Sequence, residues 1–166
     1  AGASLMLGLI HASIWYRERS EWQHLVFSVA AISVSAIALI EAVVMKMDVL
    51  SLFVATWRWG HVIYATAIIS LVGYVHLRFK ESRLWLPIAV VATRLLALVL
   101  NFTTGDLINF TEITALDERQ LLGATVMVPV GTANPWMIVP QLSQLLFLAY
   151  LIDVVMRVWR SGNTDQ

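Results

Sequence analysis

The chain has 166 residues, 59 % of them hydrophobic and 13 % charged, with eleven basic and eleven acidic side chains that leave a formal net charge of zero. Soluble domains run at roughly 45–50 % apolar and about 25 % charged, so this composition excludes an ordinary soluble fold, and the neutral balance gives no pull toward nucleic acid. The chain lacks cysteine, which rules out disulfides, thiolate catalysis and cysteine-ligated metal sites.

A membrane-spanning helix needs about 20 mainly apolar residues at about 1.5 Å rise each. Residues 1–16 form a short first span, and without a basic segment ahead of them they do not read as a signal peptide. A polar turn from Tyr16 to Trp22 carries Arg17 and Arg19, and residues 23–45 make a second span. Lys46 and Asp48 mark a tight turn. The apolar run that follows is too long for one perpendicular crossing. It reads as an interfacial approach over residues 49–56 and a third span over 57–77. A basic turn holds Arg78, Lys80 and Arg83, residues 84–102 make a fourth span, and residues 136–159 make a fifth before a polar tail. The expected fold is therefore an all-α membrane protein forming a single transmembrane domain of five transmembrane helices.

Residues 103–135 are the one long stretch that could not sit in hydrocarbon, since they carry Asp106, Glu112, Asp117, Glu118 and Arg119 with several glycines and prolines. Apolar and polar residues alternate from Ile108 to Thr111 and in part from Thr125 to Val128. That pattern predicts a short β-hairpin in the loop between helices 4 and 5, turning at residues 116–120, with Pro129 confining its strand to an edge. Basic residues set the orientation. Arg17, Arg19, Arg78, Lys80, Arg83, Arg157 and Arg160 fall on one side, and Lys46, Arg58 and Arg119 on the other. The positive-inside rule then gives an N-out, C-in topology with the hairpin loop extracytoplasmic. The corresponding localisation is multi-pass, in a bacterial cytoplasmic (inner) membrane.

Ionisable groups inside a span cost roughly 2.5–3.5 kcal/mol each, so every one needs a reason. Arg94 is the deepest, about 15 Å into the fourth span at helical rise. Gln141, Ser143 and Gln144 reach a similar depth from the fifth span and are expected to hold it, either as helix–helix glue or as the floor of a polar pocket that grips an anionic or carbonyl-bearing ligand. Glu41, Arg58 and His61 gather near the outer ends of the second and third spans, where a Glu41–Arg58 ion pair is expected and His61 is a candidate third wall of the pocket. Glu112, Asn134 and Trp136 add loop contacts for a ligand or partner. Asp153 and Arg157, four residues apart, suit a helix-surface ion pair. His24 and His76 lie at similar depth, but at the interface, so neither bound haem nor any other cofactor or metal is expected. Asn101 and Asn109 each begin a weak N-glycosylation pattern. The sequence contains no phosphate loop, nucleophile elbow or zinc-binding helix, so it points to no catalytic residues.

A wider pattern runs from Arg94-Leu-Leu-Ala-Leu-Val-Leu-Asn101-Phe102 through Ile108-Asn-Phe110, Glu112-Ile-Thr-Ala-Leu116 and Val128-Pro-Val-Gly131 to Asn134-Pro-Trp-Met137. Gln141-Leu-Ser143, Asp153 and Trp159-Arg160 complete it, and Trp57-Arg-Trp-Gly-His61 fits more loosely. These segments resemble the membrane-embedded N-terminal region of bacterial PAS-containing sensor histidine kinases. The resemblance implies a non-catalytic sensor module that meets a small ligand or partner through its outer loop and polar intramembrane residues. These residues include no dimerisation helix, phospho-acceptor histidine or nucleotide-binding domain, so phosphotransfer is not expected of them. The alternative is an accessory or scaffold subunit of a larger photosynthetic or respiratory membrane complex. Expected partners are the lipid bilayer, other membrane subunits and a small-molecule ligand.

Overall fold

A computed structural model describes residues 1–79, 83–121 and 123–162, with Ser161 described by its backbone alone. Five helices and one hairpin follow in order: α1 (Gly2–Arg17), α2 (Trp22–Val44), α3 (Leu50–Phe79), α4 (Trp85–Thr103), β1 (Phe110–Leu121), β2 (Ala124–Ala133), a single 3₁₀ turn (Pro135–Met137) and α5 (Ile138–Gly162). The principal packed helix pairs are α1–α2, α2–α3, α3–α4 and α4–α5, so chain neighbours are also spatial neighbours. Lys80, whose charge contributed to the predicted orientation, lies outside the described residues, as does the end of the polar tail.

Among the described residues, four segments, Trp22–Val44, Leu50–Phe79, Trp85–Thr103 and Pro135–Arg160, are long and apolar enough to cross a membrane, which makes this a multi-pass membrane protein. The expectation of five spans is met only in part, because α1 has 16 residues, short of the roughly 17–25 of a spanning helix. The expected break near residue 56 is absent. α3 runs unbroken for 30 residues, about 45 Å of helix against a hydrocarbon core of about 30 Å. No proline or helix-breaking pair interrupts Leu50–Phe79, so the backbone has no reason to stop.

The distribution of residues follows from a lipid environment. Outward positions carry large apolar side chains, among them Leu9, Leu39, Leu96, Val99, Leu145 and Val155. The contact between α1 and α2 draws on small ones instead. α2 buries Ser28, Ala30, Ala31, Ser33 and Ser35, and Gly8 of α1 lies so close that a Cβ there would be 2.8 Å from Ile32 Cγ1. In lipid, where apolar surface gives no net drive to associate, small residues let backbones approach and dispersion hold them. Ser35 Oγ also donates to the carbonyl of Ala1 at 2.9 Å, tying the start of α1 to α2.

Two buried clusters lie at opposite ends of the bundle. Val72, Leu86, Val90, Tyr150 and Val154 join α3, α4 and α5 at one end. Val44, Phe53, Leu107 and Ile113 form the other and seat the base of the hairpin on α2 and α3. The strands are antiparallel and longer than predicted. Residues 116–120 are paired strand, with Leu116 opposite Pro129 and Arg119 opposite Val126. The turn comes later, where Gly123 takes φ +83°. The run Asp117-Glu118-Arg119 has the composition of a turn, yet in a two-stranded ribbon its charged side chains stay in water while the backbone pairs. Pro129 does sit on an edge, as either strand of a two-stranded sheet must.

Candidate functional site

Among the described residues, the hairpin is fixed to the helices by buried and half-buried polar side chains rather than by ion pairs. Arg58 of α3 donates from Nε and Nη2 to the Asp106 carbonyl at 3.0 and 2.6 Å, and from Nη2 to the Gly105 carbonyl at 2.9 Å. Asn101, 1 % exposed, donates to the Arg58 carbonyl at 3.1 Å and accepts from the Ile108 amide at 3.0 Å. Asn134 is 3 % exposed; its amide group donates to the Thr104 carbonyl at 2.7 Å and to the Leu107 carbonyl at 3.2 Å, while its oxygen caps the 3₁₀ turn through the Trp136 amide at 3.1 Å. An Asp106 carboxylate oxygen accepts from the Ile113 amide at 2.8 Å. Loop backbone that would otherwise be unsatisfied is thereby paired, as buried peptide groups must be.

Beneath this clamp lies a chamber of about 480 Å³, inside the roughly 300–1,000 Å³ range of small-molecule sites. α2 supplies Ile37, Ile40 and Glu41, and α3 supplies Trp57, Gly60, His61 and Tyr64. Arg94 reaches in from α4, and Pro140, Gln141 and Gln144 from α5, while Asn109, Phe110, Ala133 and Met137 roof it. Helical spacing explains the walls. Trp57, Gly60, His61 and Tyr64 stand at i, i+3, i+4 and i+7, and Ile37, Ile40 and Glu41 at i, i+3 and i+4, so each set shares one face.

Arg94 is 5 % exposed. Its Nη2 donates to the Pro140 carbonyl across a long 3.4 Å, its guanidinium lies 5.6 Å from the Tyr64 ring centre, and its Nε has no hydrogen-bond partner among the described residues. His61 Nε2 is likewise buried without a partner there, and the two side chains also border a small void of about 10 Å³ shared with Ala65, Ala97 and Ile108. The expectation that Gln141, Ser143 and Gln144 hold Arg94 is corrected by their actual partners. Ser143 Oγ donates to the Val90 carbonyl at 3.3 Å, Gln144 Nε2 approaches the Tyr64 hydroxyl at 3.5 Å, and Gln141 lies on the chamber wall. All three are close in depth, but a helix backbone carbonyl is the nearest acceptor for two of the polar groups.

Of the residues expected to form a site, Glu41, His61, Arg94, Gln141 and Gln144 converge on the chamber. Arg58, Asn134, Glu112 and Trp136 do not line it. The expected Glu41–Arg58 ion pair is not formed, because Arg58 is committed to the loop carbonyls. Asn134 is a clamp, Glu112 is an exposed strand residue opposite Thr132, and Trp136 is half exposed. The burial of Asn101 leaves its side-chain amide inaccessible to glycosylation. Asp153 pairs with Arg157 at 3.0 Å as expected, with Arg83 at 4.0 Å. His24 meets His11, Nδ1 to Nδ1, at 2.9 Å. Tyr64 and Trp57 were not among the residues expected to line a site, although their spacing from His61 signals the shared face. No family model, curated protein or solved structure matches the chain.

Proposed function

We propose that this chain is a non-catalytic, multi-pass module of a bacterial cytoplasmic membrane that binds a small ligand in the chamber beneath its hairpin. The observation that carries this reading is the chamber itself, whose mainly apolar wall surrounds a buried arginine that lacks a charged partner among the described residues. The roof belongs to the hairpin and two walls belong to α3 and α5, so occupancy bears at once on the aqueous hairpin and on the helix that runs to the far end of the bundle. That arrangement suits a sensor, and the resemblance to the membrane region of sensor histidine kinases supports the same reading. α1 lies against α2 within the membrane as a short fifth crossing. Arg17, Arg19, Arg78, Arg83, Arg157 and Arg160 face the cytoplasm, and the hairpin faces outward.

The test is native mass spectrometry of the protein released from its own membrane. A retained mass of small-molecule size that is lost when Ala133→Trp fills the roof is the expected result; bare protein in both cases sinks the reading. The accessory-subunit reading draws on a different observation, the two-stranded hairpin, which among the described residues carries no third strand and, beyond ties such as the Met127 amide to the Met45 carbonyl, offers edge backbone groups to a neighbouring subunit. Stoichiometric co-purification with a pigment or redox complex, with the hairpin protected in that complex, favours it over the sensor.

A further inference from the structure

We infer that the chamber receives a single-chain amphipath with a carboxylate head, taken from the bilayer, whose head meets Arg94. The inference rests on the ligand-binding reading above and specifies the ligand's chemistry.

The first ground is charge. A guanidinium is always protonated in proteins, and a buried one needs an anion and a full set of acceptors. Arg94 has neither: no carboxylate lies within ion-pairing distance among the described residues, its best acceptor is a neutral carbonyl at 3.4 Å, and its Nε is unpartnered. A carboxylate presents two oxygens in the plane that suits the guanidinium fork. His61 Nε2, buried without a partner among the described residues and bordering the same small void as Arg94, can meet a second oxygen. Glu41, the other charged group on the lining, belongs to α2, across the chamber from α4. It repels an anion from that wall and favours the Arg94 end.

The second ground is the rest of the lining. Ile37, Ile40, Trp57, Phe110 and Met137 offer an apolar surface that a small hydrated anion leaves unused and an acyl chain fills. The third is access. α2 and α5 stand on either side of the chamber but are not among the principal packed helix pairs. We take this lightly packed seam as the entry route, by which a bilayer-dissolved ligand reaches the chamber without crossing the hairpin.

The test uses the full chain in a neutral detergent, titrated with oleate, oleyl alcohol and hexanoate, and followed by thermal unfolding and native mass spectrometry. Oleate is expected to bind one to one and raise Tm. Oleyl alcohol, lacking the charge, should bind at least about tenfold more weakly, as expected for loss of a charge-assisted contact. Hexanoate, lacking the chain, should be weaker again. Arg94→Gln should erase the preference for oleate over the alcohol and Arg94→Lys should keep most of it. The comparison on the unmodified protein decides the matter even if both variants fail to fold. Equal binding of oleate and the alcohol overturns the charge assignment, and equal binding of hexanoate overturns the bilayer source. If none of the three binds while the protein retains a native small-molecule mass, this inference fails and the ligand-binding reading stands. If none binds and no mass is retained, both fail.

Discussion

Arg58 and Asp106 are joined by two hydrogen bonds, yet both end on the Asp106 backbone carbonyl and not on its carboxylate. The carboxylate is turned the other way, accepting from the Ile113 amide at the base of β1. One residue thus takes the helix on its main chain and the strand on its side chain, and the entry to the hairpin is fixed from both sides.

Arg58→Gln therefore loosens the hairpin without touching the chamber wall. Loss of charge-assisted bonds worth about 1.5–3 kcal/mol should raise hydrogen exchange at the Asp106 and Ile113 amides. Exchange in α4 should be unchanged. Unaltered exchange around Asp106 would show that the Asn101 and Asn134 clamps and the apolar seat formed by Phe53 and Leu107 hold the hairpin without Arg58.

Asn134→Leu is the harsher change, since it strips partners from the Thr104 and Leu107 carbonyls and uncaps the 3₁₀ turn at Trp136. Buried groups left unsatisfied cost about 1–3 kcal/mol each, and about 2–4 °C of Tm accompanies each kcal/mol in a chain of this size. A fall in Tm larger than that of Arg58→Gln is the expected outcome of thermal unfolding in detergent.

The two hairpin glycines should differ in mechanism. A Cβ on Gly131 would overlap the Glu112 carbonyl oxygen and lie 2.8 Å from Ile113 Cα, so Gly131→Ala forces the strands apart. At Gly123 a Cβ meets nothing within 4 Å, and only the φ of +83° opposes it, a cost of about 1 kcal/mol. Gly131→Ala should expose the strand amides to exchange along the hairpin, whereas Gly123→Ala should act on the turn alone.

His11 and His24 share one hydrogen bond between Nδ1 atoms, which requires one ring to donate and the other to accept. Phe27 lies 4.2 Å from His11, ring centre to ring centre, and completes the contact of α1 with α2. A double-mutant cycle with His11→Phe and His24→Phe should return a coupling of about 0.5–3 kcal/mol, the range for residues in direct contact. Additive single effects would show that small-residue packing at Gly8 carries the α1–α2 contact.

Legibility tracked the physics of each signal. Helix positions were readable because hydrocarbon imposes length and apolarity, and α2, α4 and α5 begin and end close to where the sequence places them. The long α3 was misjudged because hydropathy marks the boundary of the bilayer, not the end of a hydrogen-bonded helix. The hairpin's existence showed in the alternation around Phe110 and Val126. Its turn did not, since Asp117-Glu118-Arg119 outweighed a lone Gly123. Arg94 stood out by its cost in a span, and Gln141 and Gln144 by depth. Choice of partner was the part hidden from sequence: Arg58 had Glu41 nearby in the linear reading and backbone carbonyls nearby in space. His11 and His24 meet only through the packing of α1 on α2, which linear sequence does not give.

The stepwise packing of each helix on the next has a consequence for how the protein is made. A chain leaving the ribosome and entering the bilayer can settle α1 on α2, then α3, then α4, using only contacts close in sequence, the kind that form fast. The chamber cannot follow that schedule. Its walls come from α2, α3, α4 and α5, and its roof from residues between the last two, so Arg94 is inserted before the elements that enclose it have been synthesised. The chamber is complete only once the hairpin and α5 have joined the earlier helices.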